Sequence, residues 1–315
     1  MTSPMRYGEW LNTALRRLIG DVVIWVLSIP WMLLRWFSLV ILGISIIGME
    51  YRVASLGQHP HLFIPLLVAD SPWAVLRGIF RVYRYLVGLP TGILIGGFFF
   101  ALLAWVLRAF VAGGVIYRTM PSWTHPPRWQ ESLHVGLERG FHLLVIDVLF
   151  ALPVVILGLL FGTLTGAMLS RWIQAPQHTP LIPILGLCLT VPLLLFWLLV
   201  TLFLRPLMYQ ACVQERLPFW EAVERGLRIA WRRSGPTLVL GMTCMGVSLA
   251  NGILTRIVTL PLGIVGPRAQ GFTAMAMYIL WLGAGLLLVL LFTAQQLFVW
   301  SFYAQAWPAL AEPSS

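Results

Sequence analysis

The sequence predicts an all-α integral membrane protein with six transmembrane helices. They read as three parallel repeats, each an amphipathic helix followed by a transmembrane hairpin. Three observations lead there. Of 315 residues, 59% are hydrophobic and only 10% are charged, against about 25% charged in an ordinary soluble domain. Apolar runs of roughly 20 residues, enough to cross a bilayer as helix, recur along the chain. A short polar pattern returns three times at matching positions between those runs. A transmembrane β-barrel would instead alternate in segments of about ten residues.

The apolar runs place spans at about 22–48, 89–117, 141–169, 181–209, 237–256 and 274–303. Pro30 and Arg35 inside the first span point to a kink or a partly interfacial course. The first run is too long for a secretory signal, and no small-residue cleavage site closes it. With the N-terminus inside, twelve arginines fall in inner segments, Arg205 among them, and seven in outer ones. The bias puts both termini in the cytoplasm. The net charge is +10, and every basic side chain is arginine. In so apolar a chain, that excess reads as cytoplasmic loops and contact with anionic lipid headgroups, not as nucleic-acid binding. Cys188, Cys212 and Cys244 lie in or beside apolar runs without metal-ligand spacing and read as free thiols.

The recurring pattern is "EWLNTALRRLI" from Glu9, "ESLHVGLERGF" from Glu131 and "EAVERGLRIAW" from Glu221. Each begins with Glu, has a small residue five on (Ala14, Gly136, Gly226), then Leu (Leu15, Leu137, Leu227), and closes on a large apolar residue (Ile19, Phe141, Trp231). Each precedes an odd-numbered span, and each two-span unit ends near a tyrosine: Tyr117, Tyr209 or Tyr303. The chain thus reads as one membrane domain of three units, about 5–117, 127–209 and 217–305, with an external insertion at about 49–88 in the first. All share one orientation, as parallel repeats do about an axis along the membrane normal.

The third copy lies in the most charged stretch, "FWEAVERGLRIAWRRSG". As a helix it puts Glu221, Glu224, Arg225, Arg228 and Arg232 on one face and Val223, Gly226, Leu227 and Ala230 on the other. Glu221–Arg225 and Glu224–Arg228 are i,i+4 pairs in the favourable order. Such a helix lies in the membrane interface and orients the next span. The sharper alternative makes Arg225, Arg228, Arg232 and Arg233 a docking surface for a membrane or cytoplasmic protein partner or for anionic lipid.

"EAVERGLRIAWRRSG", running into an apolar span, and the small-residue run "VAGGVI" at 111–116 carry a resemblance. With the long first external loop, they resemble the bacterial YciC-like six-span inner-membrane proteins. They are also similar to the membrane domain that accompanies some glycerophosphodiester phosphodiesterases. The resemblance implies a multi-pass protein of the bacterial inner membrane and carries over no catalytic residue.

Ionisable residues inside a span need an explanation. Arg108 in "AWVLRAFVAGG" and Asp147 in "LLVIDVLFAL" sit at matching depths in the second and third spans. Gly97, Ala101, Ala104 and Arg108 share one helix face; Asp147, Ala151, Val154 and Gly158 share another. Small-residue faces let two helices approach, so a buried Arg108–Asp147 ion pair is expected. It either locks the first unit to the second or marks a polar pathway. Gly88, Gly92 and Gly96, with Gly158, Gly162 and Gly166, form small-xxx-small runs expected to pack helices. Gln295 and Gln296 are the other intramembrane polar pair, expected to bond neighbouring helices.

The external segment "SPWAVLRGIFRVYRYLVG" at 71–88 reads as an amphipathic helix with Ser71 as N-cap. It presents Arg77, Arg81 and Arg84 to lipid phosphates on one face. His59 and His61 have no nearby carboxylate or cysteine to complete a metal shell. No HExxH, GxSxG, P-loop or dinucleotide fingerprint is present, so no catalytic residue, metal or cofactor is expected. Three functional classes remain open. The leading one is a non-enzymatic accessory or scaffold protein in envelope or lipid homeostasis. The second is a small-solute or lipid transporter or channel with its path near Arg108 and Asp147. The third is a lipid-modifying membrane enzyme.

Overall fold

The computed structural model describes residues 7–53, 91–174, 181–265 and 272–312. The described residues form helices and short connections, with no strand. The helices are α1 (Tyr7–Gly20), α2 (Val22–Val53), α3 (Thr91–Arg118), α4 (Trp129–Gln174), α5 (Leu181–Gln214), α6 (Phe219–Arg232), α7 (Ser234–Val265) and α8 (Phe272–Ala311). The segment 71–88, with Arg77, Arg81 and Arg84, lies outside the described residues, as do His59, His61 and Gly88.

Five helices are long and apolar enough to cross a membrane, and α1 with α2 makes a sixth if that bent pair is one span. Only 6% of the apolar window of α5 is buried within the bundle. Leu185, Leu189, Phe196 and Leu199 all point outward. Bare apolar surface on this scale suits lipid as solvent.

Helix breaks follow local chemistry. Asp21 separates α1 from α2: its N–H closes α1 on the Arg17 carbonyl at 3.0 Å, and its carboxylate caps α2 by accepting from the Val23 N–H at 3.1 Å. The two helices meet at 72°. Pro30, where a kink was expected, leaves α2 continuous. The turn at Arg233 separates α6 from α7, and Pro236 sits in the first turn of α7, where no N–H is needed. Nothing comparable interrupts the second unit. "GFHLLV" holds neither a cap nor a proline, so the amphipathic segment from Glu131 and the third span form the single helix α4. This corrects the expectation of three separate amphipathic helices.

The packing is cyclic. Helices α3, α5 and α8 touch one another. Helix α2 lies against α3 and α8, α4 against α3 and α5, and α7 against α5 and α8. The amphipathic segments sit outside this set: α1 on α8, the start of α4 on α3, and α6 on α5. Each uses its small residue for the contact. Ala14 and Gly226 are fully covered, and a Cβ at Gly226 would come within 3.1 Å of the Met208 amide nitrogen.

Among the described residues, the tightest approach of backbone to backbone is between α3 and α4. A Cβ at Gly136 would come within 2.6 Å of the Phe110 carbonyl oxygen, and one at Gly114 within 2.8 Å of the Ser132 carbonyl oxygen. The crossing therefore falls at "VAGGVI", not along the expected small-residue faces. Gly96, Gly158 and Gly162 face open space, which corrects the packing role expected of these three; the surroundings of Gly88, Gly92 and Gly166 lie outside the described residues.

Candidate functional site: one carboxylate between two arginines

Asp147 lies on the inner face of α4 with its side chain 1% exposed. A bare carboxylate there would be costly, because desolvation of a charge in an apolar interior amounts to several kcal/mol. Three side chains offset the cost. Arg108 on α3 donates from Nη2 to Asp147 Oδ2. The Tyr209 hydroxyl on α5 donates to Oδ1. Arg205, one turn before Tyr209, holds Nη1 at 3.7 Å from Oδ1. The expected pair is therefore present, and it is part of a four-residue cluster that ties three helices together.

Arg205 corrects the loop count above: it is an intramembrane partner of Asp147, not a cytoplasmic loop charge. The i,i+4 spacing of Arg205 and Tyr209 in "FLRPLMY" was the available signal, since it puts both on one face of α5. Arg35 belongs to the same neighbourhood. Its guanidinium carbon lies 3.4 Å from the centroid of the Phe292 ring on α8. Its charge and that of Arg205 are both near enough to repel Arg108.

The two glutamines part company. Gln295 accepts from Asn251 at 2.5 Å and donates to Ser248 at 2.6 Å, bonding α8 to α7 as expected. Gln296 is 9% exposed, and its Oε1 has no partner. Other buried polar ties went unnoticed in the sequence. Arg118 reaches Asp21 at 2.5 Å and the Pro127 carbonyl. Gln210 donates to the Trp300 carbonyl at 3.2 Å, Gln214 to Gln210 at 2.7 Å and to the Ala304 carbonyl at 3.2 Å.

On α6 the buried face is Ala222, Gly226 and Ile229; Leu227, expected on it, is 46% exposed. Arg225 does not pair with Glu221. It grips Glu215 through Nε at 2.9 Å and Nη2 at 3.1 Å, and it donates to the Ala311 carbonyl at 3.2 Å. Arg233 reaches the Glu312 carbonyl at 3.2 Å. Both are occupied in tying α6 to neighbouring chain. Arg228 pairs with Glu224 as expected, in the open, and Arg232 is exposed. Trp220 and Trp231 stand out from the same helix, as interfacial aromatics do.

No family model, curated protein or solved structure matches the chain.

The chemistry on hand comes from the geometry alone. An open cleft sets Glu131, His134 and Glu138 of α4 opposite Tyr117 and Arg216. Among the described residues no group of three His, Cys, Asp or Glu is placed to hold a metal ion. The thiols of Cys212 and Cys244 are buried and unpaired, and that of Cys188 is unpaired and exposed. The Asp147 carboxylate has both oxygens engaged and is buried. It is built to hold helices together and to concentrate positive charge.

Proposed function

We propose that the chain is a non-enzymatic, multi-pass accessory or scaffold protein of the bacterial inner membrane, concerned with envelope or lipid homeostasis. The observation that carries this reading is the closed state of the Asp147 cluster. A transport path near Arg108 and Asp147 would need water at the carboxylate, and its side chain is 1% exposed and bonded at both oxygens. A hydrolytic enzyme would need an activated nucleophile or a metal shell; no metal-holding group occurs among the described residues, and the cleft of Glu131, His134 and Glu138 is lined by no Ser, Thr or Cys.

The cyclic packing supports three parallel units about one axis, with α3, α5 and α8 as the second spans. Each amphipathic segment rests on the second span of the unit before it, α1 closing the circle on α8. The reading also places six spans, both termini in the cytoplasm and anionic lipid against the outer arginines. The resemblance to the YciC-like proteins points the same way. A protein partner would meet α6 at Arg228, Arg232, Trp220 and Trp231, the side chains that the fold leaves outward.

Affinity purification of the full chain in mild detergent tests the proposal. A protein partner should co-purify in fixed proportion and be lost from Arg228→Glu/Arg232→Glu. Recovery of the chain alone, at normal yield from cells that make it, would sink the scaffold reading.

A further inference from the structure

Away from the Asp147 cluster, a cleft of about 440 Å³ opens at the end of the bundle where α3 stops and α4 starts. That volume falls among small-molecule sites, which run from roughly 300 to 1,000 Å³. Its α4 wall is a stripe at helical spacing, made of Glu131, His134 and Glu138. Tyr117, from the last turn of α3, and Arg216, just past the end of α5, stand opposite. Arg139 fixes the two walls: its Nη1 donates to the Arg216 carbonyl at 3.0 Å, and its Nη2 pairs with Glu138 at 2.9 Å. Among the described residues, no hydrogen bond or ion pair engages the side chains of Glu131, His134 or Arg216.

Arg216 is the informative side chain. Its φ of 55° is left-handed, the one such value at a non-glycine among the described residues. A Cβ crowds the backbone in that conformation, and glycine is the usual residue just past a helix end. The turn alone asks for glycine, so the arginine is explained by what its guanidinium does in the cleft. Its charge and that of Arg139 offset Glu131 and Glu138, so both signs line one space with no excess of either. A simple cation or a simple anion meets one favourable wall and one repelling wall; a ligand carrying both signs meets two favourable ones. Beside the stripe, on the adjoining flank of α4, Leu133 and Leu137 are 42% and 58% exposed. Charges and apolar flank together suit a lipid headgroup whose chains continue over that flank.

We propose that this cleft binds a zwitterionic phosphoethanolamine headgroup. The ammonium donates to Glu131 and Glu138, with the Tyr117 ring beside it. The phosphate accepts two parallel hydrogen bonds from the edge of Arg216. The acyl chains run over Leu133 and Leu137 into the bilayer. Free O-phosphoethanolamine offers the same ammonium and phosphate without the chains. The site does not depend on the scaffold role: a chain with no protein partner can still hold the headgroup.

The test is native mass spectrometry of the full chain, delipidated in detergent. It is offered phosphatidylethanolamine, phosphatidylcholine and phosphatidylglycerol of matched chains at equal concentration. Phosphatidylcholine keeps both charges but has no ammonium N–H for the carboxylates, and phosphatidylglycerol keeps the phosphate but has no cation. Phosphatidylethanolamine should be retained about tenfold over either, the effect of one hydrogen bond to a charged group. Arg216→Gly and Glu131→Gln should each lose the preference, whereas Arg228→Gln on the exposed face of α6 should keep it. Arg216→Gly should also melt no lower than wild type, because glycine suits the left-handed turn; a lowered midpoint would make Arg216 a structural residue and overturn its role in binding. Excess free O-phosphoethanolamine distinguishes the sources: displacement of the lipid assigns the headgroup by itself as ligand, and no displacement assigns the lipid with its chains. Equal retention of the three lipids by wild type, or a preference for phosphatidylglycerol, overturns the site, and so does an undiminished preference in Arg216→Gly. Should the variants fail to purify, the wild-type ranking of the three lipids decides.

Discussion

At the scale of single residues, Asp147 is the position where the least change should do the most harm. Among the described residues it is the carboxylate that Arg108 and Arg205 face, and it accepts a hydrogen bond from the Tyr209 hydroxyl. Asp147→Asn keeps the shape and removes the charge, so two guanidiniums lose their counter-ion in an apolar setting. Breaking one partner of a buried ion pair costs about 3–5 kcal/mol. The variant should therefore show a strongly lowered thermal midpoint in detergent and poor recovery. Tyr209→Phe removes one hydrogen bond and no charge. Interhelical hydrogen bonds in membranes contribute about 0.6–2 kcal/mol, so this variant should fold with a modestly lower midpoint. Equal loss in the two would mean that the charge of Asp147 is not what matters.

At the scale of elements, the glycines separate into two kinds that the sequence pattern does not distinguish. At Gly136 a Cβ would meet backbone on α3, the Phe110 oxygen at 2.6 Å and the Gly114 nitrogen at 3.2 Å. Backbone cannot turn aside as a side chain can, so Gly136→Ala must push α4 off α3, at about 1–3 kcal/mol for overpacking. At Gly158 nothing lies within 4 Å. Gly158→Ala should be neutral or stabilising, since alanine is the better helix former by about 1 kcal/mol. Thermal midpoints of the two variants, measured side by side, check this; a Gly158→Ala loss matching that of Gly136→Ala would contradict the packing.

The same contrast shows what could be read from the residues. Run length and composition placed the helices, because the bilayer sets both. Matched depth paired Arg108 with Asp147. Arg205 and Tyr209 were hidden because an arginine near a span end reads as a loop charge until the neighbouring helix is known. The continuous α4 was hidden because a helix runs on wherever nothing stops it, and the absence of a cap at 141–144 is a quieter signal than Asp21 or Pro236. Arg225 shows the limit of local pairing: i,i+4 spacing offered Glu221, and the fold supplied Glu215 in a better bidentate geometry.

At the scale of the whole molecule, packing bears directly on the number of crossings. Counted without α1, five helices qualify as spans, and an odd number would put the termini on opposite sides. Counted as a bent pair, α1 and α2 make six. Helix α1 rests on α8, and Arg17 of α1 donates to the Met120 carbonyl just past the end of α3 at 2.8 Å. The last turn of α8 is tied to α6 through the Ala311 carbonyl, and Gln305 donates to the Thr119 carbonyl. These ties gather α1, the end of α3, α6 and the end of α8 at one end of the bundle, which supports the even number of crossings we propose. That end carries Arg118, Arg128, Arg139, Arg216, Arg225, Arg228, Arg232 and Arg233, and the arginine bias is the ground on which we propose that it faces the cytoplasm. Reporter fusions before Met1 and after Ser315 should therefore both report the cytoplasm, while a reporter in the α4–α5 connection reports the far side. Termini reporting opposite compartments would exclude the contact of α1 with α8, and with it the closed circle of three units.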